Sequence, residues 1–200
     1  MTQPASTIGC EVIGTVVSQA FRYESFVDDK AKALAGQYSS IFYASTLYAL
    51  AATLPAREVV EIGVQRGIST RMFLEAVGVD GRVCSIDVNP TCADLKFPVH
   101  LMERWSFSLG RSQEAPPRPC DLLYVDGDHA YEAVCADLAR HGPHVRLGGL
   151  VVLDDYHIRF PGKVRWVQER WTALQPLVFG PFVILRMTER VRAACVEVVS

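Results

Sequence analysis

Two acidic clusters in this chain each close a short apolar run. Leu122-Leu123-Tyr124-Val125 runs into Asp126-Gly127-Asp128-His129, and Leu150-Val151-Val152-Leu153 runs into Asp154-Asp155-Tyr156. Such runs, with a helical pattern between them, read as parallel strands of an α/β sheet. Ligands in these sheets collect outside the carboxyl ends of the strands. Neighbouring strands lie about 4.8 Å apart, so Asp126, Asp154 and Asp155 are expected to converge on one point. Three carboxylates that close repel one another unless a cation sits among them, and a divalent metal is the leading candidate. Mg²⁺ prefers carboxylate and water oxygens and lowers the pKa of an oxygen it holds.

His129 lies three residues past Asp126, at the expected start of the next helix. The positive end of a helix dipole disfavours imidazolium, which leaves the ring neutral and able to take a proton. His157, just past Tyr156, is the rival base. Asp128 reads as the cap of the helix, while Tyr131 and Tyr156 read as wall residues. His100, His141 and His144 fall elsewhere in the pattern, as structural or exposed side chains.

A second constellation is Glu61-Ile62-Gly63-Val64-Gln65-Arg66-Gly67-Ile68-Ser69-Thr70, a strand end, a glycine-bearing loop and a helix start. Glycine lets backbone approach a ligand closely, and a helix N-terminus offers free N–H groups to an anion. The spacing differs from the G-x-G-x-x-G of a dinucleotide pyrophosphate site. Asp87, at the end of the next apolar run, is placed to accept both hydroxyls of a ribose. Together these residues suit a nucleoside without a pyrophosphate. Read as structure alone, Glu61 is a strand-end charge, Gly63 and Gly67 are turn residues, and Ser69 is a helix cap.

Strands and helices alternate around these residues. Helical spacing over 41–54 ends at Pro55. Strands are expected at 59–62, 83–87, 99–102, 122–125 and 150–153, with helices at about 69–76, from 130 to Gly142-Pro143, and at 164–174. Trp166, Trp171 and Leu174 are available to pack inward from the last of these. A polar, proline-containing loop spans 110–119. Paired late strands are expected at 177–179 and 182–187, and 193–198 reads as a further strand or a packed tail. The alternation argues for a doubly wound, mostly parallel sheet. Residues 1–200 read as one domain, with a helical segment over 1–40 that serves as a lid, plain packing or a dimer contact.

Composition narrows the classes. The 200 residues, 50% hydrophobic and 21% charged, suit one globular core. A formal charge of −2 offers no electrostatic case for nucleic acid. No apolar run approaches the ~18 residues of a membrane span, and the N-terminus lacks the pattern of a secretory signal. Six scattered cysteines without a C-x-x-C pair suit reduced thiols in a cytoplasmic protein. The partner expected is a small molecule, with no nucleic acid and no membrane; a homo-oligomer stays open.

The motifs E-x-G-x-x-x-G-x-S, I-D, V-D-G-D-H-x-Y and L-x-x-G-G-x-x-x-x-D-D, in that order, resemble the class I S-adenosylmethionine-dependent methyltransferases. Within them the chain is most similar to small-molecule O-methyltransferases: the macrolide-sugar and cephalosporin hydroxylase-like group, with the metal-site pattern of the catechol enzymes. The resemblance covers roughly residues 41–156 and implies a seven-stranded Rossmann-like sheet. It implies Glu61 near the cofactor's amino group, Gly63 and Gly67 around its methionine portion, Ser69 and Thr70 at its carboxylate, and Asp87 at its ribose. It further implies Asp126, Asp154 and Asp155 as metal ligands, with Asp126 also beside the cofactor, and His129 as general base. Where the family has small or acidic residues and a serine beside the adenine, this chain reads Arg104-Trp105-Ser106. Ser106 is assigned to the adenine on that basis, and Trp105 either stacks on the base or packs in the core.

The expectation is a Mg²⁺-dependent O-methyltransferase of a sugar diol or catechol-like hydroxyl in natural product biosynthesis. The alternatives are a metal-independent methyltransferase and a non-catalytic cofactor-binding protein. An NAD-dependent oxidoreductase competes least well, given the glycine spacing.

Overall fold

The computed structural model describes residues 41–54 and 56–197. The segment expected over 1–40 and the helix stop at Pro55 lie outside the described residues. Seven strands form one sheet: β1 (Glu58–Ile62), β2 (Arg82–Asp87), β3 (Trp105–Leu109), β4 (Cys120–Val125), β5 (Val145–Leu153), β6 (Leu177–Phe179) and β7 (Phe182–Arg186). Their order is β3-β2-β1-β4-β5-β7-β6. The first five are parallel, and β7 runs antiparallel to both neighbours. The expected doubly wound sheet is therefore present, with an antiparallel edge.

Helices cover both faces: α1 (Ile41–Thr53), α2 (Ile68–Ala76), the one-turn α3 (Val99–Met102), α4 (Tyr131–His141), α5 (Pro161–Glu169), α6 (Trp171–Leu174) and α7 (Glu189–Val196). Side chains alternate across each strand, so β4 feeds two cores. Leu122 and Tyr124 join Val59, Val83, Leu47, Leu50 and Phe73 on the α1/α2 side. Leu123 and Val125 join Val60, Val151, Leu138, Trp166 and Val191 on the other. All four β4 residues are essentially unexposed, so the strand ending in the acidic cluster is clamped from both faces.

Several elements differ from expectation. Residues 99–102 form a helical turn rather than a strand. Pro98 precedes the turn, and the amides of Leu101 and Met102 bond back to the Pro98 carbonyl. The third strand is instead β3, whose residues pair with Val83 to Asp87. The helix expected over 164–174 is two helices broken at Arg170, where φ is −115°. Trp166 and Leu174 are buried, but Trp171 is 46% exposed. Of the strand or tail expected over 193–198, residues 193–196 are the end of α7, whose cap Thr188 accepts from the Val191 amide, and residue 198 lies outside the described residues. No helix among the described residues is long and apolar enough to cross a membrane.

Candidate active site

The sheet order reverses between β1 and β4, the position where open α/β sheets form a ligand crevice at their carboxyl ends. A cavity of about 990 Å³ opens there, lined among others by Gly63, Ser69, Asp87, Asp126, His129 and Asp155. The crevice walls are tied by backbone: the Gly63 amide bonds the Ile86 carbonyl at 2.9 Å, and the Asp126 amide bonds the Ile62 carbonyl at 2.7 Å.

One half is the glycine loop. Gly63 adopts φ +89°, and a Cβ built there would stand 2.2 Å from the Asp126 carbonyl oxygen. Only glycine lets the two loops touch. Gln65, a non-glycine residue, is also left-handed at φ +49°. The loop is shaped from outside by Asp87, whose Oδ2 accepts from the Val64 amide at 2.7 Å and the Gln65 amide at 3.2 Å. Its Oδ1 accepts from the Asn89 amide at 2.8 Å. Partial burial works to raise the Asp87 pKa, but these three donors outweigh it and hold the carboxyl below its ordinary value. Asp87 thus stays ionised with lone pairs left for hydroxyls in the cavity.

Beneath the loop, Glu61 is fully buried. Its Oε2 accepts from Thr70 Oγ1 at 2.7 Å and Ser85 Oγ at 2.5 Å, while Oε1 has no partner. Burial pushes its pKa up to about 7, against the hydroxyl donors that favour the ion. Glu61, Gly67 and Thr70 therefore support the loop from below, whereas Gly63, Ser69 and Asp87 reach the cavity wall. Gly67, not Ser69, caps α2, at φ 74°.

The other half is acidic. Asp126, His129 and Asp155 each offer a ligand atom, all within 4.8 Å of one another. His129 Nε2 stands 3.7 Å from Asp155 Oδ2, and its ring lies against Phe160 with centroids 4.1 Å apart. Asp155 takes φ +54°, a left-handed turn that aspartate tolerates better than most residues. The consecutive carboxylates part there. Asp154 is buried, with Oδ2 accepting from the hydroxyls of Tyr43, at 2.6 Å, and Tyr124. Its Oδ1 accepts from the Asp155 amide at 2.7 Å. The expected trio of Asp126, Asp154 and Asp155 thus changes: the group with convergent ligand atoms replaces Asp154 by His129, because two tyrosines hold Asp154. Its lining position keeps Asp154 at the cavity floor.

Lys163, which the sequence reading passed over, is fully buried behind this cluster. Its Nζ donates to the Val125 carbonyl at 3.3 Å and lies 3.7 Å from Asp126 Oδ1. The chain itself therefore supplies one cation to the carboxylates. Burial drives the lysine pKa down, opposed by Asp126, Asp154, Asp155 and Asp137. Burial and the Asp154 charge push Asp126 well above the carboxylate range, with Lys163 pulling the other way.

Three smaller expectations also change. Asp128 accepts from the Ala130 amide at 2.9 Å, a local turn, while Ala130 itself is the α4 N-cap. His129 consequently sits before the helix, and its lowered pKa comes from burial and then Lys163. His157 is exposed and accepts from the Arg159 amide, away from the cavity wall. Ser106 lies exposed on β3, outside the lining, and so leaves the adenine set. Trp105 packs edge-on to Phe97 and donates to Ser85 Oγ. The rim beside Asp87 is made instead by Gly110, Arg111, Ser112 and Gln113. Ser112 and Gln113 are pinned by side-chain bonds of 2.5 Å each to Asp137 Oδ1 on α4.

Comparison with known proteins finds the fold of this chain elsewhere. A family described as a methyltransferase domain matches residues 60–156. An uncharacterized protein, R132, of Acanthamoeba polyphaga mimivirus is 26% identical over 133 residues, 60% of this chain and 58% of that protein. The MycE methyltransferase of the mycinamycin biosynthetic pathway, solved with Mg and SAH, superposes with a TM-score of 0.54 at 21% identity. That match covers 68% of this chain and 46% of MycE. The O-methyltransferase TomG of Streptomyces achromogenes, involved in tomaymycin synthesis and solved with SAM, gives 0.62 at 19% identity, over 86% and 96% of the two chains. This chain thus spans little more than half of R132 and less than half of MycE, and at these identities the solved structures share its fold.

Proposed function

We propose that this chain, whose residues 60–156 match a family described as a methyltransferase domain, is an S-adenosylmethionine-dependent, divalent-ion-assisted O-methyltransferase of a small hydroxylated molecule. One observation carries the reading. A single cavity sets the glycine loop, through Gly63 and Ser69, and Asp87 against an acidic half at Asp126, His129 and Asp155. The residues fit both groups. The Gly63 loop packs on the Asp126 backbone where no side chain fits, its outer side lines the cavity, and the buried Glu61 Oε1 is unpartnered below it. The acidic half offers the Asp126 and Asp155 carboxylates with converging oxygens, beside the His129 ring.

The cofactor supplies a methyl group on sulfonium, ready for in-line displacement. Asp126 and Asp155 would hold a divalent ion, which would supply positive charge beside the acceptor oxygen. The remaining tasks fall to the chain. Asp87 holds the ribose hydroxyls and, through the Val64 and Gln65 amides, keeps the loop in shape. Fixing donor and acceptor in line is worth on the order of 7–11 kcal/mol in favourable cases. His129, neutral because burial and Lys163 disfavour its cation, takes the acceptor proton at one ring nitrogen, with Phe160 holding the ring. Tyr43 and the 110–113 rim close the walls against water.

Acceptors with neighbouring oxygens, a sugar diol or a catechol, suit two carboxylates around one ion. A cytoplasmic enzyme of natural product biosynthesis fits this reading. Radiolabelled methyl transfer to a panel of diols and catechols tests it, with and without EDTA. Transfer that stops on chelation and returns with Mg²⁺ is expected. Transfer indifferent to chelation favours a metal-independent enzyme, with the buried Lys163 as the cation beside Asp126. Cofactor binding with no transfer across the panel favours a binding protein.

A further inference from the structure

Lys163 is the one feature of the site that neither the glycine loop nor the acidic ligands require. Its placement is built. Gly162, the residue before it, has no room for a side chain: a Cβ there would meet the His129 carbonyl oxygen at 2.2 Å and the Tyr131 amide at 2.5 Å. α5 therefore lies backbone to backbone against the 129–131 segment. That contact drives the next side chain behind β4, where Nζ reaches the Val125 carbonyl and Asp126 Oδ1. Lysine is almost never fully buried without a partner, and here the partner is the strand-end carboxylate itself.

We infer that Lys163 is a built-in counter-ion that holds Asp126 in place when no metal is present and sets how tightly a divalent ion is bound. The inference rests on the divalent-ion reading above. Three carboxylates and one ammonium leave a formal double negative, which a single divalent ion neutralises. The lysine thus does two things at once. It relieves repulsion among Asp126, Asp154 and Asp155 in the empty protein, and it weakens the pull on an incoming dication. Lys163 is a positioning residue in this scheme: it touches Asp126, not the reacting atoms.

The test uses the full chain with Lys163→Met, which keeps length and removes charge, and Lys163→Gln, which also keeps a donor for the Val125 carbonyl. Mn²⁺ binding is measured by calorimetry at pH 8, and melting temperature is followed with and without Mn²⁺. Removing a unit charge about 6 Å from a dication alters affinity at least about tenfold even at the dielectric of water. Both variants should therefore bind Mn²⁺ at least about tenfold more tightly than the parent. They should melt lower without the ion and regain the loss with it, because a ligand that binds only the folded state raises stability. A variant that folds only when Mn²⁺ is added supports the inference equally. Unchanged or weaker Mn²⁺ affinity in both variants overturns it, as does a variant left unfolded at saturating Mn²⁺. No binding by the parent or either variant at millimolar Mn²⁺ overturns the divalent-ion reading, and the inference with it.

Discussion

Replacing Glu61 by Gln should abolish a pH dependence of stability that the wild-type fold builds in. Glu61 is completely enclosed, and burial raises its pKa from an ordinary 4.5 to about 7. With the folded value the higher one, its contribution is fully present below pH 4.5, where both states are protonated. It is lost as pH rises towards 7, because the unfolded chain ionises first. Each pH unit across that window costs about 1.36 kcal/mol, so a gap from 4.5 to about 7 removes roughly 3 kcal/mol. Glutamine keeps an oxygen for the Thr70 and Ser85 hydroxyls and turns an N–H₂ towards the side where Oε1 has no partner. Urea unfolding of both proteins at pH 4.5, 5.5, 6.5 and 7.5, without cofactor, gives the difference directly. That difference should shift in favour of Gln by roughly 3 kcal/mol across the series and then level off. A constant offset at every pH would refute the reasoning.

Gly63→Ala forces a left-handed alanine into the Asp126 carbonyl. Backbone strain alone is about 1–2 kcal/mol, so calorimetry should show S-adenosylhomocysteine binding weakened at least about tenfold. The two consecutive aspartates should separate by readout. Asp154→Asn loosens a buried acceptor of two tyrosine hydroxyls and should cost about 1–3 kcal/mol in urea unfolding, more than the half-exposed Asp155→Asn. Asp155→Asn should weaken Mn²⁺ binding more than Asp154→Asn does. His129→Gln should lower kcat by about 10²–10⁴ in the methyl-transfer assay. In the wild type the acid limb of kcat/KM should fall below pH 6.5, the ordinary histidine value, because burial depresses that pKa.

What could be read without coordinates was whatever depends on order along the chain. Apolar runs that end in Asp87, Asp126 and Asp154 are strand ends whatever their tertiary partners, so the sheet and its loaded rim were legible. Residues 99–102 misled because Val, Leu and Met suit a strand as well as a turn of helix, and Pro98 was the better guide. Lys163 was invisible because Pro-Gly-Lys-Val-Arg reads as a solvated helix start. Only the contact of Gly162 with the 129–131 backbone turns that lysine inward. The fate of Asp154 was equally hidden, since Tyr43 lies 111 residues away and Tyr124 is simply a core strand residue by pattern. Adjacent carboxylates in sequence look equivalent; a left-handed Asp155 makes them diverge.

The most direct measurement is anomalous diffraction from crystals grown with Mn²⁺ and S-adenosylhomocysteine. A single strong peak between the Asp126 and Asp155 carboxylates, within bonding distance of their oxygens, with ribose against Asp87 and the sulfur facing His129, is the predicted result. A peak elsewhere, or none at the β4 and β5 strand ends while the nucleoside is bound, would contradict the account.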